Sequence, residues 1–199
     1  MSLSLYLAFC VYAIVTSVTP GPNNFLALAS GVNFGVKKTW PLVLGICFGF
    51  TVMFLLIALG INALFIQFPI IIPILKVLGS LYILYLAYLI AGSGKFNVSD
   101  EQPEKMLGFW NGAFFQWINP KSWIVLLGAI TAYTTADTAT QEIIFIGLIY
   151  GVIAIPCVLV WAVIGDQMGN YLSQGNRAVI FNRVMGLLLA VSLIPIWTM

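Results

Sequence analysis

The sequence predicts an all-α integral membrane fold: six transmembrane helices arranged as two inverted three-helix repeats, with spans one and four broken at mid-membrane. Three observations lead there. Hydrophobic residues make up 61% of the 199-residue chain and charged residues only 7%, where an ordinary soluble domain has roughly 25% charged residues. Six apolar runs are each long enough to cross a bilayer, and two of them carry proline-centred polar breaks near their midpoints.

The first run covers about residues 4 to 30. It lacks a basic leader and is followed by Pro20-Gly21-Pro22 rather than a small-residue cleavage site, so it reads as an uncleaved first helix. Inside it lies Thr19-Pro20-Gly21-Pro22-Asn23-Asn24. Each proline lacks an N–H and clashes with the carbonyl four residues back, which frees the carbonyls of Thr16 and Val18. The second run, about 40 to 65, contains Gly45-x-x-x-Gly49, a spacing that permits close helix approach. The third, about 70 to 91, carries Lys76 a turn or two inside it, and the lysine stem can snorkel outward.

A solvated loop at about 92 to 107, marked by Gly92, Ser93, Gly94, Pro103 and clustered charges, divides the chain into repeat one (about 1–91) and repeat two (about 108–199) of a single transporter-sized domain. The fourth run, about 108 to 133, carries Gln116-Trp117-Ile118-Asn119-Pro120-Lys121-Ser122. Pro120 frees the carbonyl of Gln116. Lys121 is the one side chain whose charge lies close to the expected bilayer centre, where a lysine costs about 2.5 to 3.5 kcal/mol and faces a cavity or a partner. The fifth run, about 142 to 165, contains Gly147-x-x-x-Gly151 and ends at Asp166; the sixth covers about 178 to 198.

Lys37 and Lys38 fall in the first loop, Lys95 and Lys105 in the third, and Arg177 and Arg183 at the fifth, whereas the second and fourth carry Asp137 and Glu142, with Lys76 nearby as the one exception. By the positive-inside rule both termini are expected outside. The halves repeat in order: Pro20 matches Pro120, the two GxxxG segments match, and Lys76-Val77-Leu78-Gly79 mirrors Arg183-Val184-Met185-Gly186. Three spans per half force opposite orientations, the inverted repeat of many secondary transporters. The GxxxG pairs are expected to pack within the chain, with a homodimer as the alternative.

Other classes are excluded or disfavoured. The net charge of +2 is small and dispersed, so nucleic-acid binding is not expected. Cys10, Cys47 and Cys157 are isolated in apolar surroundings and read as structural thiols, and with no histidine a transition-metal site is not expected. Gly94-Lys95 lacks the spacing of a nucleotide-binding loop. No cofactor and no catalytic residue is expected. Asn97-Val98-Ser99 matches a glycosylation sequon in a loop placed on the cytoplasmic side and is assigned no function.

Two broken helices meeting at mid-depth would bring backbone N–H groups near Pro22 and Pro120 to bear on an anion. The freed carbonyls of Thr16, Val18 and Gln116, with Asn23, Asn119 and the stripe Tyr12, Thr16, Thr19, offer acceptors for an ammonium group. A zwitterionic amino acid fits both ends. The candidate binding residues are therefore Tyr12, Thr16, Thr19, Pro20, Gly21, Pro22, Asn23, Gln116, Asn119, Pro120 and Lys121, with Lys121 and Asp166 the candidates for coupling transport to protons.

At Thr19-Pro20-Gly21-Pro22-Asn23 and Asn119-Pro120-Lys121 the chain resembles the LysE/RhtB family of amino-acid exporters, and Lys76 to Tyr85 with Gly79 and Tyr82 looks like that family's third span. The first span, from Tyr12 through Thr19 to Leu28, is similar to the cysteine/O-acetylserine exporter branch. The resemblance implies efflux of small amino acids by a secondary transporter of the bacterial inner membrane, with membrane lipid as its surroundings. Cysteine, O-acetylserine, homoserine and threonine are the substrate types it leaves open. A rival reading is an intramembrane thiol-disulfide carrier, which needs a facing cysteine pair; span four has no cysteine.

Overall fold

The computed structural model describes residues 2–61, 67–68, 70–92, 106–135, 138–172 and 176–194. Among these residues the only regular secondary structure is helical. Helix α1 (Leu3–Val18) is followed by α2 (Pro22–Leu56), a π-helical turn at Ile57–Ile61, α3 (Ile71–Gly92), α4 (Phe109–Phe115), α5 (Pro120–Tyr133), α6 (Thr140–Leu172) and α7 (Arg177–Val191).

The first expected span is built from α1 and the first part of α2, broken where the prolines require it. Thr19 precedes Pro20 and is extended (φ −63°, ψ 139°), which ends α1 at Val18. Gly21 precedes Pro22 and is also extended, and Pro22 then opens α2 at a position that needs no N–H. The fourth span breaks by the same logic: Asn119 is extended before Pro120, its side chain accepts from the Lys121 N–H, and Pro120 opens α5.

Helix α2 consists of two helical segments that meet at a kink. Gly35 has φ 78° and ψ 164° inside it. Ser30 and Thr39, nine residues apart, bring their hydroxyls to 2.9 Å, and the Thr39 hydroxyl also donates to the Gly35 carbonyl. A straight helix would separate nine residues by about 13 Å, so the chain must turn at Gly35. The second expected span thus starts near residue 36 rather than 40, because Gly35 sets the turn and the polar Lys37 and Lys38 are absorbed into the first turn of the new helix. The fifth span likewise runs longer than its apolar core, from Thr140 to Leu172.

Two stretches, Pro22–Gly60 and Thr140–Gly169, are long and apolar enough to cross a membrane; Leu3–Val18 and Lys76–Gly92 are shorter apolar helices. Much of their apolar surface faces outward. On α1, Leu3, Leu7, Val11, Ile14, Val15 and Val18 are exposed while Phe9 and Ala13 are fully buried, a distribution suited to lipid on one side and protein on the other.

At several glycines the backbones of two helices approach closely. A side chain at Gly45 or Gly49 would collide with the carbonyls of Phe109 and Ala113 on α4, and one at Gly31 with the carbonyl of Ala162 on α6. Gly147 and Gly151 receive Phe54 and Thr51. Both GxxxG segments therefore pack against helices of the same chain. Helix α3 pairs with α7, where Gly186 meets the Ala87 carbonyl. The loop carrying Lys95, Lys105 and the sequon, Asp137, and the last residues expected in spans two and six lie outside the described residues.

Candidate functional site

The two helix breaks face each other, and the polar groups they release are shared across the gap. At the C-terminal end of α1, the Thr19 hydroxyl turns back onto the Val15 carbonyl. The Val18 carbonyl accepts from Trp161 Nε1 on α6 at 3.1 Å. Asn24, in the first turn of α2, donates through Nδ2 to the carbonyls of Ser17 (2.9 Å) and Thr19 (2.8 Å).

Lys121 comes from the opposite break. Its Nζ donates to the Thr19 carbonyl at 2.6 Å and to the Pro20 carbonyl at 3.3 Å. A cation therefore sits at the C-terminal, electronegative end of α1, where the helix dipole favours it. Gly21 makes this possible: a Cβ there would lie 2.7 Å from Lys121 Cδ. Lys121 is bound by carbonyl oxygens, so its charge is neutralised by dipoles rather than by a carboxylate.

A second bridge joins the breaks beside it. Asn23 Nδ2 donates to Gln116 Oε1 at 2.9 Å and Gln116 Nε2 returns the bond to Asn23 Oδ1 at 3.0 Å. Gln116 is fully buried, donates also to the Gly112 carbonyl and accepts from the Ser122 hydroxyl. All of its hydrogen-bonding capacity is used, as a buried amide requires.

Between the breaks and α2 and α6 lies a small, partly open hollow. One wall is polar: Thr16, Ser17, Gly21, Asn23, Asn24, Lys121 and Ser122. The other is apolar, formed by Ile46, Cys47, Phe50, Val125, Ala154 and Val158, with Tyr150 at the join. The Tyr150 hydroxyl lies 2.5 Å from Thr16 Oγ1 and its ring stacks on Phe50 at 4.6 Å.

Of the residues singled out from sequence, Thr16, Gly21, Asn23 and Lys121 line the hollow. Pro20, Pro22 and Pro120 shape the breaks, while Gln116 and Asn119 brace them from behind. The stripe Tyr12, Thr16, Thr19 does not stay together: the Tyr12 hydroxyl donates to the Val125 carbonyl at 2.9 Å, clamping α1 to α5. Several acceptors expected to be open are already in use. The Gln116 carbonyl accepts from the Asn119 N–H, and the Asn23 and Asn119 side-chain oxygens accept from Gln116 and the Lys121 N–H. Asp166 is exposed and lies beside Gly35, its Oδ1 3.2 Å from where a Cβ would be, away from the hollow's lining.

Sequence reading missed Asn24, Ser17, Ser122, Tyr150 and the apolar wall. Asn24 was visible as the residue after Asn23, but only the fold shows that Asn23 is spent on Gln116 while Asn24 reaches back to α1. The three cysteines are free; Cys47 lies in the apolar wall.

Comparison with known proteins extends this picture. The family model for LysE type translocators matches residues 14–193. The chain is 31% identical over 193 residues to the cysteine/O-acetylserine efflux protein of Escherichia coli strain K12, covering 95% of each chain. It is similarly 31% identical over 191 residues to the protein of that name in Salmonella typhimurium strain LT2, again over 95% of each. No solved structure gives a significant match.

Proposed function

This chain belongs to the LysE-type translocator family, and from that premise we propose that it exports small neutral amino acids or their derivatives across a bacterial inner membrane. It is a transporter, not an enzyme. The substrate types that fit are cysteine, O-acetylserine, homoserine and threonine, the first two being those in the names of its relatives.

One observation carries the reading: the Lys121 amine crosses from one broken helix to the carbonyls of the other at the mouth of a half-polar hollow. The N-terminus of α2 has no side-chain cap, so its first N–H groups and the neighbouring lysine together suit a carboxylate. Oxygen acceptors on the same wall suit an ammonium, and the apolar wall receives a small side chain. The lining holds no acidic residue, which disfavours a cationic solute.

Transport would proceed by alternating access between two inverted three-span halves, with both termini periplasmic. Supporting this, each broken span packs against the middle span of the other half: α1 and the start of α2 against α6, and α4 against the second part of α2. Export is driven by proton antiport in this reading; one charge crossing is worth about 2.3 kcal/mol per 100 mV.

Counterflow into liposomes with a panel of labelled amino acids tests the proposal. Accumulation of the neutral solutes by wild type and its loss in a folded Lys121→Ala variant are expected, and normal counterflow by that variant removes Lys121 from the site. Flux that ignores both a pH gradient and voltage removes the antiport. Intact export by a variant lacking all three cysteines would dispose of a thiol-disulfide carrier.

A further inference from the structure

Asn24 is 2% exposed and lines the hollow. Both of its N–H donors are engaged, on the Ser17 and Thr19 carbonyls. Its side-chain oxygen is buried and receives no hydrogen bond.

The orientation of this amide is fixed by its neighbours. Rotating it by half a turn would set its oxygen against two carbonyl oxygens and leave both N–H groups without partners, so the oxygen must be the open atom. A buried acceptor without a donor is destabilising, and it persists where something else supplies the donor. The other buried orphan among the described residues, Asn119 Nδ2, belongs to a residue outside the hollow's lining.

We propose that Asn24 Oδ1 is the acceptor for the ammonium of the transported solute, and that it makes the site demand a free amino group. The inference rests on the export reading above and assigns one half of its substrate to one atom. Lys121 Nζ and Asn24 Nδ2 converge on the same Thr19 oxygen, at 2.6 and 2.8 Å. A cation and the amide that carries the unpaired acceptor thus share one carbonyl. A zwitterion spans that pair in one direction only: carboxylate toward Lys121, whose charge repels an ammonium, and ammonium toward Asn24. Thr16 Oγ1, occupied by Tyr150 and the Tyr12 carbonyl, is less free to take that role.

The test compares O-acetyl-L-serine with 3-acetoxypropanoate, the same molecule without its amine, as competitors of labelled O-acetyl-L-serine in proteoliposome counterflow. Wild type should favour the amine by at least about tenfold, the scale of one hydrogen bond to a charged group. In Asn24→Ala that preference should fall by about tenfold through weaker binding of the amine, with the des-amino compound unchanged. Asn24→Asp, which keeps an oxygen in place, should retain the preference even if its loss of two donors slows transport. An undiminished preference in Asn24→Ala overturns the assignment. Should that variant not purify folded, wild type decides, since equal inhibition by the two compounds also overturns it. Absence of flux for every amino acid in wild type removes the export reading and this inference with it, whereas flux with an unchanged preference in Asn24→Ala removes this inference alone.

Discussion

Lys121 Nζ and the Thr19 carbonyl oxygen lie 2.6 Å apart, although 102 positions separate them in the chain. Each exists because a proline follows closely or precedes it. Pro20 forces Thr19 out of helical geometry and turns its carbonyl loose, and Pro120 starts the helix whose second residue is Lys121. The contact ties one half of the molecule to the other through groups that neither helix could satisfy alone.

Gly21→Ala tests how tightly that contact is built. The added methyl would lie 2.7 Å from Lys121 Cδ and 3.2 Å from Nζ, and Gly21 is extended, so its backbone suits alanine. The flexible lysine must move, not the helices. Counterflow should fall several-fold while the melting temperature of the purified protein changes by only a few degrees; a normal transport rate would show that the amine's position is immaterial.

The Asn23–Gln116 amide pair is expected to couple energetically. A double-mutant cycle with Asn23→Ala and Gln116→Leu should give an interaction free energy of about 1 kcal/mol, in line with polar pairs between membrane helices. Unfolding in mixed detergent measures it. Additive effects of the two changes would mean that each residue acts through other partners, such as Gly112 and Ser122.

Gly45→Ala should cost at least about 2–3 kcal/mol, since the methyl would run into the Phe109 carbonyl and backbone has little room to yield. Gly92→Ala, where a Cβ meets nothing within 4 Å, is the control and should leave stability within about 0.5 kcal/mol. Similar yields and melting temperatures for both variants would contradict the close α2–α4 approach.

Tyr150→Phe keeps the ring stacked on Phe50 but deletes the hydroxyl that pairs with Thr16 at 2.5 Å. A loss of about 1 kcal/mol in stability is expected. The freed Thr16 hydroxyl lines the hollow, so the apparent KM for a neutral amino acid should also shift several-fold; a change in stability with KM unmoved would confine Tyr150 to packing.

Much of the helical framework was legible because proline and hydrophobicity act locally. The breaks at Pro20–Pro22 and Pro120 follow from missing N–H groups and steric clash, whatever the surroundings, and both appear at the expected residues. The turn at Gly35 was less legible, since glycine permits a positive φ but does not require one. Boundaries such as the start of the second helix and the end of α6 shifted by several residues because polar residues at a helix end cost little where lipid gives way to water.

The composition and order of residues determined that this chain is apolar, helical and interrupted at two proline-centred breaks, and that Lys121 needs polar company. Which groups provide that company was decided only by the tertiary structure. Adjacent Asn23 and Asn24 have the same chemistry, yet one is consumed by Gln116 and the other is left with a buried, unpaired oxygen beside the hollow. That difference arises because successive residues on a helix point about 100° apart, and only the packing of α2 against α1 and α4 fixes what each of them meets.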